Sequence, residues 1–535
     1  MFWDWFFGPP KPRLKPNPPS ISGPVIRFGM QLHPESFATS HWAAIGATGS
    51  GKTVVQRMLM QSVLPEIGLG HDRRALVYDA KGDAMPILAA IAPRAEILTL
   101  NPFDERGVAW DLAADIREPR VALEFAHILI PREHESQPFF SDAARHLLYG
   151  TVLGMLLRGN EWTFADVLRA LQSPGISKAF LKSHRHTRSI VGRYFFDKRL
   201  LNNIFSTLAC KLLPFECIAA SWETAKRMIS LADWTTKEQI LVMGNSETSR
   251  AAIDAINRAK FRRVTQLVLA QSESFTRRSW FFVDELSDAG RLDGIVPLMK
   301  KGRSKGGSVM VCLQSFAGLR DEKLYGPHFA EELLAQIGNR FYGRLECPET
   351  AEAASRLFGD QDIDQYTTSH TSGKHSSTTT NHQIVTRRTV LPSEFLNTER
   401  CSKSNGLAGY YRTQFYGCSE GTLDGEDVFD NLLLPPDPSV PDFIPRSMKS
   451  QLLRGWKKSD RIRLGLPERL PTPEVVRAAN LKAEANRESQ SPPANDAEPL
   501  TIKDEFSQLA DPNDAETDSH RRHDHRIDGI DGLFN

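Results

Sequence analysis

The run Gly46-Ala47-Thr48-Gly49-Ser50-Gly51-Lys52-Thr53 constrains this chain more than any other stretch. It has the spacing G-x-x-x-x-G-K-T, in which glycines let the backbone curl until successive N–H groups point inward at a phosphate. The flanks agree. Trp42-Ala43-Ala44-Ile45 is a short apolar run suited to a buried strand, and residues 54–64 are apolar enough for a packed helix. A strand, this loop and the positive end of a helix together make an anion cradle. All eight residues are candidate nucleotide-binding residues. Lys52 is expected to reach the β- and γ-phosphates and the Thr53 hydroxyl to ligate Mg²⁺, so ATP and Mg²⁺ are the expected cofactors.

The rest of the pattern predicts an α/β fold with a mainly parallel sheet. Residues 73–79, 95–100, 240–243, 279–283, 308–313 and 338–345 read as strands, separated by helical stretches. Ligands in such sheets sit at the carboxyl ends of the strands. Asp79 ends one strand and either lies near the nucleotide or caps the next turn. Trp280-Phe281-Phe282-Val283 is a buried strand ending in Asp284 and Glu285. Asp284 at the strand tip suits Mg²⁺, bound through water, and Glu285 suits the polarisation of an attacking water. Gln314 ends the following strand and is a γ-phosphate sensor candidate, or a turn-capping amide. The basic cluster at residues 300–307 is a solvated turn, or it presents Arg303 to a neighbouring subunit's nucleotide as an arginine finger.

A length of 535 residues allows two or three domains. Prolines crowd residues 8–24 of a proline-rich N-terminal segment, 1–40; that stretch is extended and leads into an expected strand, Val25-Ile26-Arg27-Phe28, ahead of the nucleotide core. Over residues 118–234 apolar side chains recur at helical spacing, which predicts an all-α domain inserted into the nucleotide-binding domain. That core is then discontinuous, 41–117 and 235–400. A C-terminal extension, 401–470, and a tail, 471–535, follow. The tail has 14 acidic against 7 basic side chains and few aromatics, so it is expected to be disordered. The whole chain carries +1, which leaves the body mildly basic and permits nucleic-acid binding without requiring it. The tract from Lys178 to Arg193 is a solvated face or a nucleic-acid contact. His370, His375 and His382 lie in a Thr/Ser/His-rich tract with no metal-ligand spacing, so a polar loop or hairpin is expected there. Six scattered cysteines suit a reducing cytosol. The longest apolar run, 147–157, is about half the length that a bilayer needs. The aromatic start, Met1-Phe2-Trp3-Asp4-Trp5-Phe6-Phe7, reads as a docking segment or an interfacial contact.

The order of these pieces resembles the type IV secretion coupling proteins, the DNA-pumping ATPases of bacterial conjugation. The resemblance runs over residues 41–394. It rests on the loop 46–53; Val77-Tyr78-Asp79-Ala80-Lys81-Gly82-Asp83; Leu100-Asn101-Pro102-Phe103-Asp104-Glu105-Arg106 with Trp110; and Phe139-Phe140-Ser141-Asp142-Ala143-Ala144-Arg145. It rests also on Val283-Asp284-Glu285-Leu286; Lys301-Gly302-Arg303 followed by Leu313-Gln314-Ser315; Pro348-Glu349-Thr350-Ala351; and Val390-Leu391-Pro392-Ser393-Glu394.

The family implies a RecA-like core assembled as a homo-hexameric ring, with a helical domain at one end of a channel through which DNA passes. Lys52 and Thr53 match its phosphate and Mg²⁺ residues, Asp284 its metal carboxylate and Glu285 its base. Arg303 matches its trans arginine and Gln314 its sensor. Implied partners are DNA, a relaxase and membrane-anchored channel components. Such proteins usually carry an N-terminal transmembrane pair, which is not found in this sequence. The expected location is therefore cytoplasmic, or peripheral at the inner membrane through a partner. The rival readings are a nucleotide-gated scaffold and a chromosome or defence translocase of the same superfamily.

Overall fold

The structure is a computed structural model that describes residues 21, 23–132, 138–159, 161–322, 324–371 and 377–466. The acidic tail, most of the proline-rich start and His375 lie outside them. Among the described residues nine strands join one sheet. In chain order they are β1 (Trp42–Ile45), β2 (Arg73–Asp79), β3 (Glu96–Thr99), β4 (Gln239–Gly244), β5 (Arg278–Val283), β6 (Gly307–Leu313), β7 (Asn339–Tyr342), β8 (Leu407–Thr413) and β9 (Gly417–Leu423). Their spatial order is β9-β8-β7-β1-β6-β5-β2-β4-β3. Every pairing from β7 across to β3 is parallel, and the β7–β8 and β8–β9 pairings are antiparallel.

Alternate residues of each strand serve opposite faces. Trp42, Ala44, Trp280, Phe282, Met310 and Cys312 belong to one core layer, which α1 (Lys52–Val63) covers. Ala43, Ile45, Phe281, Val283, Val309 and Val311 belong to the other. Burial on both faces is why these strands read as unbroken apolar runs. The fold is α/β with a mainly parallel sheet, as expected.

Between β3 and β4 the chain forms a helical unit. Its helices are α2 (Pro119–Leu129), α3 (Phe139–Arg158), α4 (Phe164–Ala170), α5 (Pro174–Lys182), α6 (Arg185–Tyr194), α7 (Lys198–Leu212) and α8 (Glu216–Glu223). Helix α3 is central, with α2, α5, α6 and α7 packed around it. Local chemistry sets its end, since Gly159 takes φ +69° as the C-cap. Local chemistry also starts the next two helices. Thr163 and Asp166 form a capping box at α4, and Ser173 caps α5 with Pro174 in its first turn. The unit is not wholly helical. Met228–Ile229 pairs in parallel with Ala109–Trp110, joining the points where the chain leaves and re-enters the core.

Two domain bounds move, and the Thr/Ser/His tract takes one of its two expected forms. Val25–Phe28 and Gln31–Pro34 form a hairpin whose Phe28 packs 5.0 Å from Trp42, so the folded core begins before residue 41. The sheet also continues past residue 400. β8 and β9 pair the otherwise open edge of β7, and Tyr411 is buried 5.1 Å from Phe341. The Thr/Ser/His tract is a hairpin, Asp360–Thr371 against Ser377–Arg388. Its His382 bonds Asp364 at 2.7 Å and His370 meets Thr378 at 2.9 Å. Among the described residues no group of His, Cys, Asp and Glu could hold a metal by clustering alone. One helical stretch, residues 198–223, is long and apolar enough to cross a membrane by length and composition. It is interrupted at Pro214, and Leu208, Leu212, Phe215 and Ile218 are part of the core.

The C-terminal extension is a strap. Arg446 donates to the carbonyls of Asp104 and Gly107, both at 2.9 Å, and to that of Ser221 at 3.1 Å. Its own N–H bonds the Phe103 carbonyl. Farther on, Arg454 pairs with Glu223 at 2.7 Å and with Asp460 at 2.6 Å, and Arg463 pairs with Asp166 at 2.8 Å. The side chains of Arg169 and Asp166 lie at the centre of this network with 0% exposure, 3.0 Å apart. Removing one partner of a buried ion network leaves the others uncompensated. Arg169→Ala is therefore expected to lower stability by about 3–5 kcal/mol, read by urea denaturation.

Lys260, on α9 (Arg250–Ala270), is also fully buried. It donates to the Leu100 carbonyl at 3.0 Å and lies 5.4 Å over the Trp222 ring. Burial pushes its pKa down to about 7. The folded state then releases this proton before the unfolded chain does, so stability rises with pH between about 7 and 10.5. The expected contribution is on the order of 1 kcal/mol per pH unit, and Lys260→Met should abolish it in denaturation curves measured across that window.

Candidate nucleotide-binding site

Parallel pairing places the carboxyl ends of β1, β6, β5 and β2 side by side, and the predicted residues emerge there. The Gly46 N–H bonds the Leu313 carbonyl at 3.0 Å, and the Ala47 N–H bonds the Arg344 carbonyl at 2.7 Å. Gly49 and Gly51 take φ +77° and +93°, which turn the chain sharply into α1. Space is equally strict. A Cβ on Gly46 would stand 2.4 Å from Ser50 Oγ, and one on Gly51 would stand 2.3 Å from Leu407 Cδ1. Thr48 and Ser50 complete the turn, and Ser50 Oγ is buried without a hydrogen-bond partner. Lys52 lies back over the loop, donating to the Gly46 and Ala47 carbonyls at 2.8 and 3.0 Å.

Thr53 Oγ1 donates to Asp284 Oδ1 at 3.3 Å, joining the two groups expected to hold Mg²⁺. A hydroxyl and a carboxylate are the hard oxygen donors that Mg²⁺ takes. The pair also attracts a cation within the chain, since the Lys81 ammonium lies 3.1 Å from Thr53 Oγ1 and 3.2 Å from Asp284 Oδ2. The residues therefore fit the ion. Glu285 stands next to them. Its Oε2 accepts from Gln314 Nε2 at 3.2 Å, while its Oε1 is buried without a hydrogen-bond partner. Burial pushes the Glu285 carboxyl up, against the pull of Gln314 and Lys52. Gln314 thus reaches the Glu285 carboxylate.

Two residues left with open alternatives are narrowed by their surroundings. Asp79 is a cap, accepting from the N–H groups of Gly82 at 2.8 Å and Ala84 at 3.1 Å. Arg303 is exposed and precedes β6, whose seven residues separate it from the loop. At about 3.3 Å per residue that is roughly 20 Å, so Arg303 does not meet Lys52 of its own chain.

Sequence reasoning missed the support behind Glu285. Asp288, three residues on, accepts from Arg250 at 2.5 Å through Oδ1 and from Asn245 at 3.1 Å through Oδ2. Its carbonyl takes Arg250 again at 2.8 Å and the Tyr78 hydroxyl at 3.2 Å. The turn carrying Glu285 is thus pinned from β2, from the end of β4 and from the start of α9. Cys401 was missed as well, and its N–H bonds the Gly49 carbonyl at 2.8 Å. Only Lys81 had a signal in the sequence, as a cation just beyond a strand end beside the loop.

A phosphate loop at the centre of a parallel sheet, with a strand-tip Asp-Glu pair beside it, defines a P-loop nucleotide-binding protein. Comparison is more specific: residues 29–408 match the family described as the type IV secretion-system coupling protein DNA-binding domain, and the chain belongs to it. It is 21% identical over 333 residues to the coupling protein TraD of Escherichia coli K12, covering 59% of this chain and 43% of that one. The chain thus spans less than half the length of this curated relative. Among solved structures, the conjugative coupling protein TrwBdeltaN70 superposes with TM-score 0.61 at 21% identity, over 79% of this chain and 92% of that one. TrwB in complex with ADP and Mg²⁺ superposes with TM-score 0.60 at 20% identity, over 79% and 93%. These likenesses are of fold.

The close approach of Leu407 makes the loop sensitive to a single methyl group. Gly51→Ala is expected to weaken binding of a fluorescent ATP analogue at least about tenfold with the fold retained, read by titration and circular dichroism. Lys52→Ala should abolish that binding.

Proposed function

We propose that this chain is a Mg²⁺-dependent ATPase that works as a ring of six to move DNA, coupling it to a conjugation or secretion channel. The observation that carries this reading is the placement of Glu285. Its carboxylate stands beside the Thr53–Asp284 pair, held by Gln314 on one oxygen and free on the other. A binding switch has no need of a positioned base. The loop N–H groups and Lys52 bind the phosphates, and Thr53 and Asp284 hold the metal, which neutralises charge developing on the phosphate oxygens. Glu285 Oε1 orients the attacking water and accepts its proton, a role that burial favours by raising the carboxyl.

Arg303 supports the ring. It is exposed at the opposite end of β6 from its own loop, a position that suits a neighbouring copy's nucleotide better than its own. DNA as the cargo is supported by the family and by the helical unit. Lys178, Lys182, Arg185, Arg188 and Arg193 are all exposed there. A relaxase and membrane-anchored channel components are the remaining proposed partners, met in the cytoplasm or at the inner membrane.

Purified protein should hydrolyse ATP faster with DNA present and displace a triplex-forming strand from a duplex. Failure to hydrolyse with or without DNA, where ATP binds, overturns the reading. Glu285→Gln is expected to retain ATP while turnover falls about 10²–10⁴-fold. Arg303→Ala should be inactive alone, yet mixing it with Glu285→Gln protein should restore part of the activity. Such mixtures contain interfaces in which one chain supplies Glu285 and its neighbour Arg303.

A further inference from the structure

Lys81 sits in the loop after β2, apart from the groups assigned to phosphate binding and proton transfer. Its ammonium, Thr53 Oγ1 and the Asp284 carboxylate close a triangle with sides of 3.1, 3.2 and 3.3 Å. Among the described residues Lys81 is the one cation paired with Asp284. The backbone on either side is tied down, because Asp79 accepts from the N–H groups of Gly82 and Ala84. The Lys81 side chain itself is 54% exposed and free to swing on its four-carbon stem. It therefore stands on the same oxygens that a divalent cation needs, and two cations cannot share them at this range without strong repulsion.

We propose that Lys81 and a divalent metal ion exclude each other on the Thr53–Asp284 pair. Lys81 is the internal counter-ion of Asp284, and metal loading expels its ammonium to solvent. The inference rests on the reading of Thr53 and Asp284 as metal ligands. It makes Lys81 a competitor that sets metal affinity, a function separate from phosphate binding by Lys52.

Two measurements on the full chain saturated with ADP test this. In the first, a short pulse of an N-hydroxysuccinimide ester labels amines, and mass spectrometry compares Lys81 with the exposed Lys226. Adding Mg²⁺ should raise Lys81 labelling at least about twofold relative to Lys226, as expected for a half-exposed amine released from an ion pair. Labelling that is unchanged or lower overturns the proposal. In the second, Mn²⁺ is titrated and the free ion read by its paramagnetic resonance signal. Lys81→Ala should tighten Mn²⁺ binding about two- to fivefold, the range expected for a competing half-exposed ion pair, while Lys81→Arg should not. Affinity that is unchanged or weaker in Lys81→Ala overturns the proposal while leaving the metal assignment standing. If the unaltered chain binds no Mn²⁺, the metal assignment falls and the inference falls with it. Asp284→Asn, which removes the charge and keeps the shape, should raise Lys81 labelling without added metal.

Discussion

The pairing of β1 with β6 is the constraint on which the site depends. Ile45 lies opposite Leu313, and the hydrogen bond from the Gly46 N–H to the Leu313 carbonyl carries that register one residue into the loop. A slip of one residue would reverse which side chains face each core layer, so two packed faces enforce the register together. With β1 set against β6, and β6 against β5, the loop, Gln314 and the Asp284-Glu285 pair are brought to one edge of the sheet. No long-range charge interaction is required to gather them. Main-chain hydrogen bonds between buried strands do it.

Rigidity around the Asp284-Glu285 pair comes from a different source. Glu285 lies beyond the end of its strand, where the ladder no longer holds the backbone. Asp288 compensates by spending both carboxylate oxygens and its carbonyl on Arg250, Asn245 and Tyr78. Arg250 opens α9, the same helix whose Lys260 reaches the Leu100 carbonyl and the Trp222 ring. One helix therefore touches the turn that carries Glu285 at its start and the base of the helical unit farther along. The strap from residue 441 onward meets the same region from outside, through Arg446 on the turn 101–107 and Arg454 on Glu223. Core, helical unit and C-terminal extension converge on the Asn101-Pro102-Phe103-Asp104 turn.

Much of the core was legible because its signals are local. The bounds of β1 and β2 follow from runs that are apolar throughout or end in a carboxylate. Helix α1 follows from a loop whose glycines have no other use. The insert was legible from helical periodicity, and β5 from four apolar residues ahead of Asp284. What escaped was non-local. β8 and β9 read as an extension because nothing in residues 407–423 announces that they will pair with an edge 65 or more residues earlier. Asp79 was ambiguous because a strand-end carboxylate meets ligand or backbone according to the turn after it. Asp288 gave no signal, since its partners come from three separate elements.

By itself, then, the sequence determined the α/β class, the phosphate loop, the acidic strand tip and the helical insertion. Each is a property of neighbouring residues and their periodicity. Tertiary structure decided the rest. It placed Lys81 on Thr53 and Asp284, turned Glu285 toward Gln314, and set Arg303 at the far end of β6. The physical reason is that these positions depend on strand order and on which ends of the strands meet. Strand order is settled by burying two apolar faces at once, which no local stretch can encode.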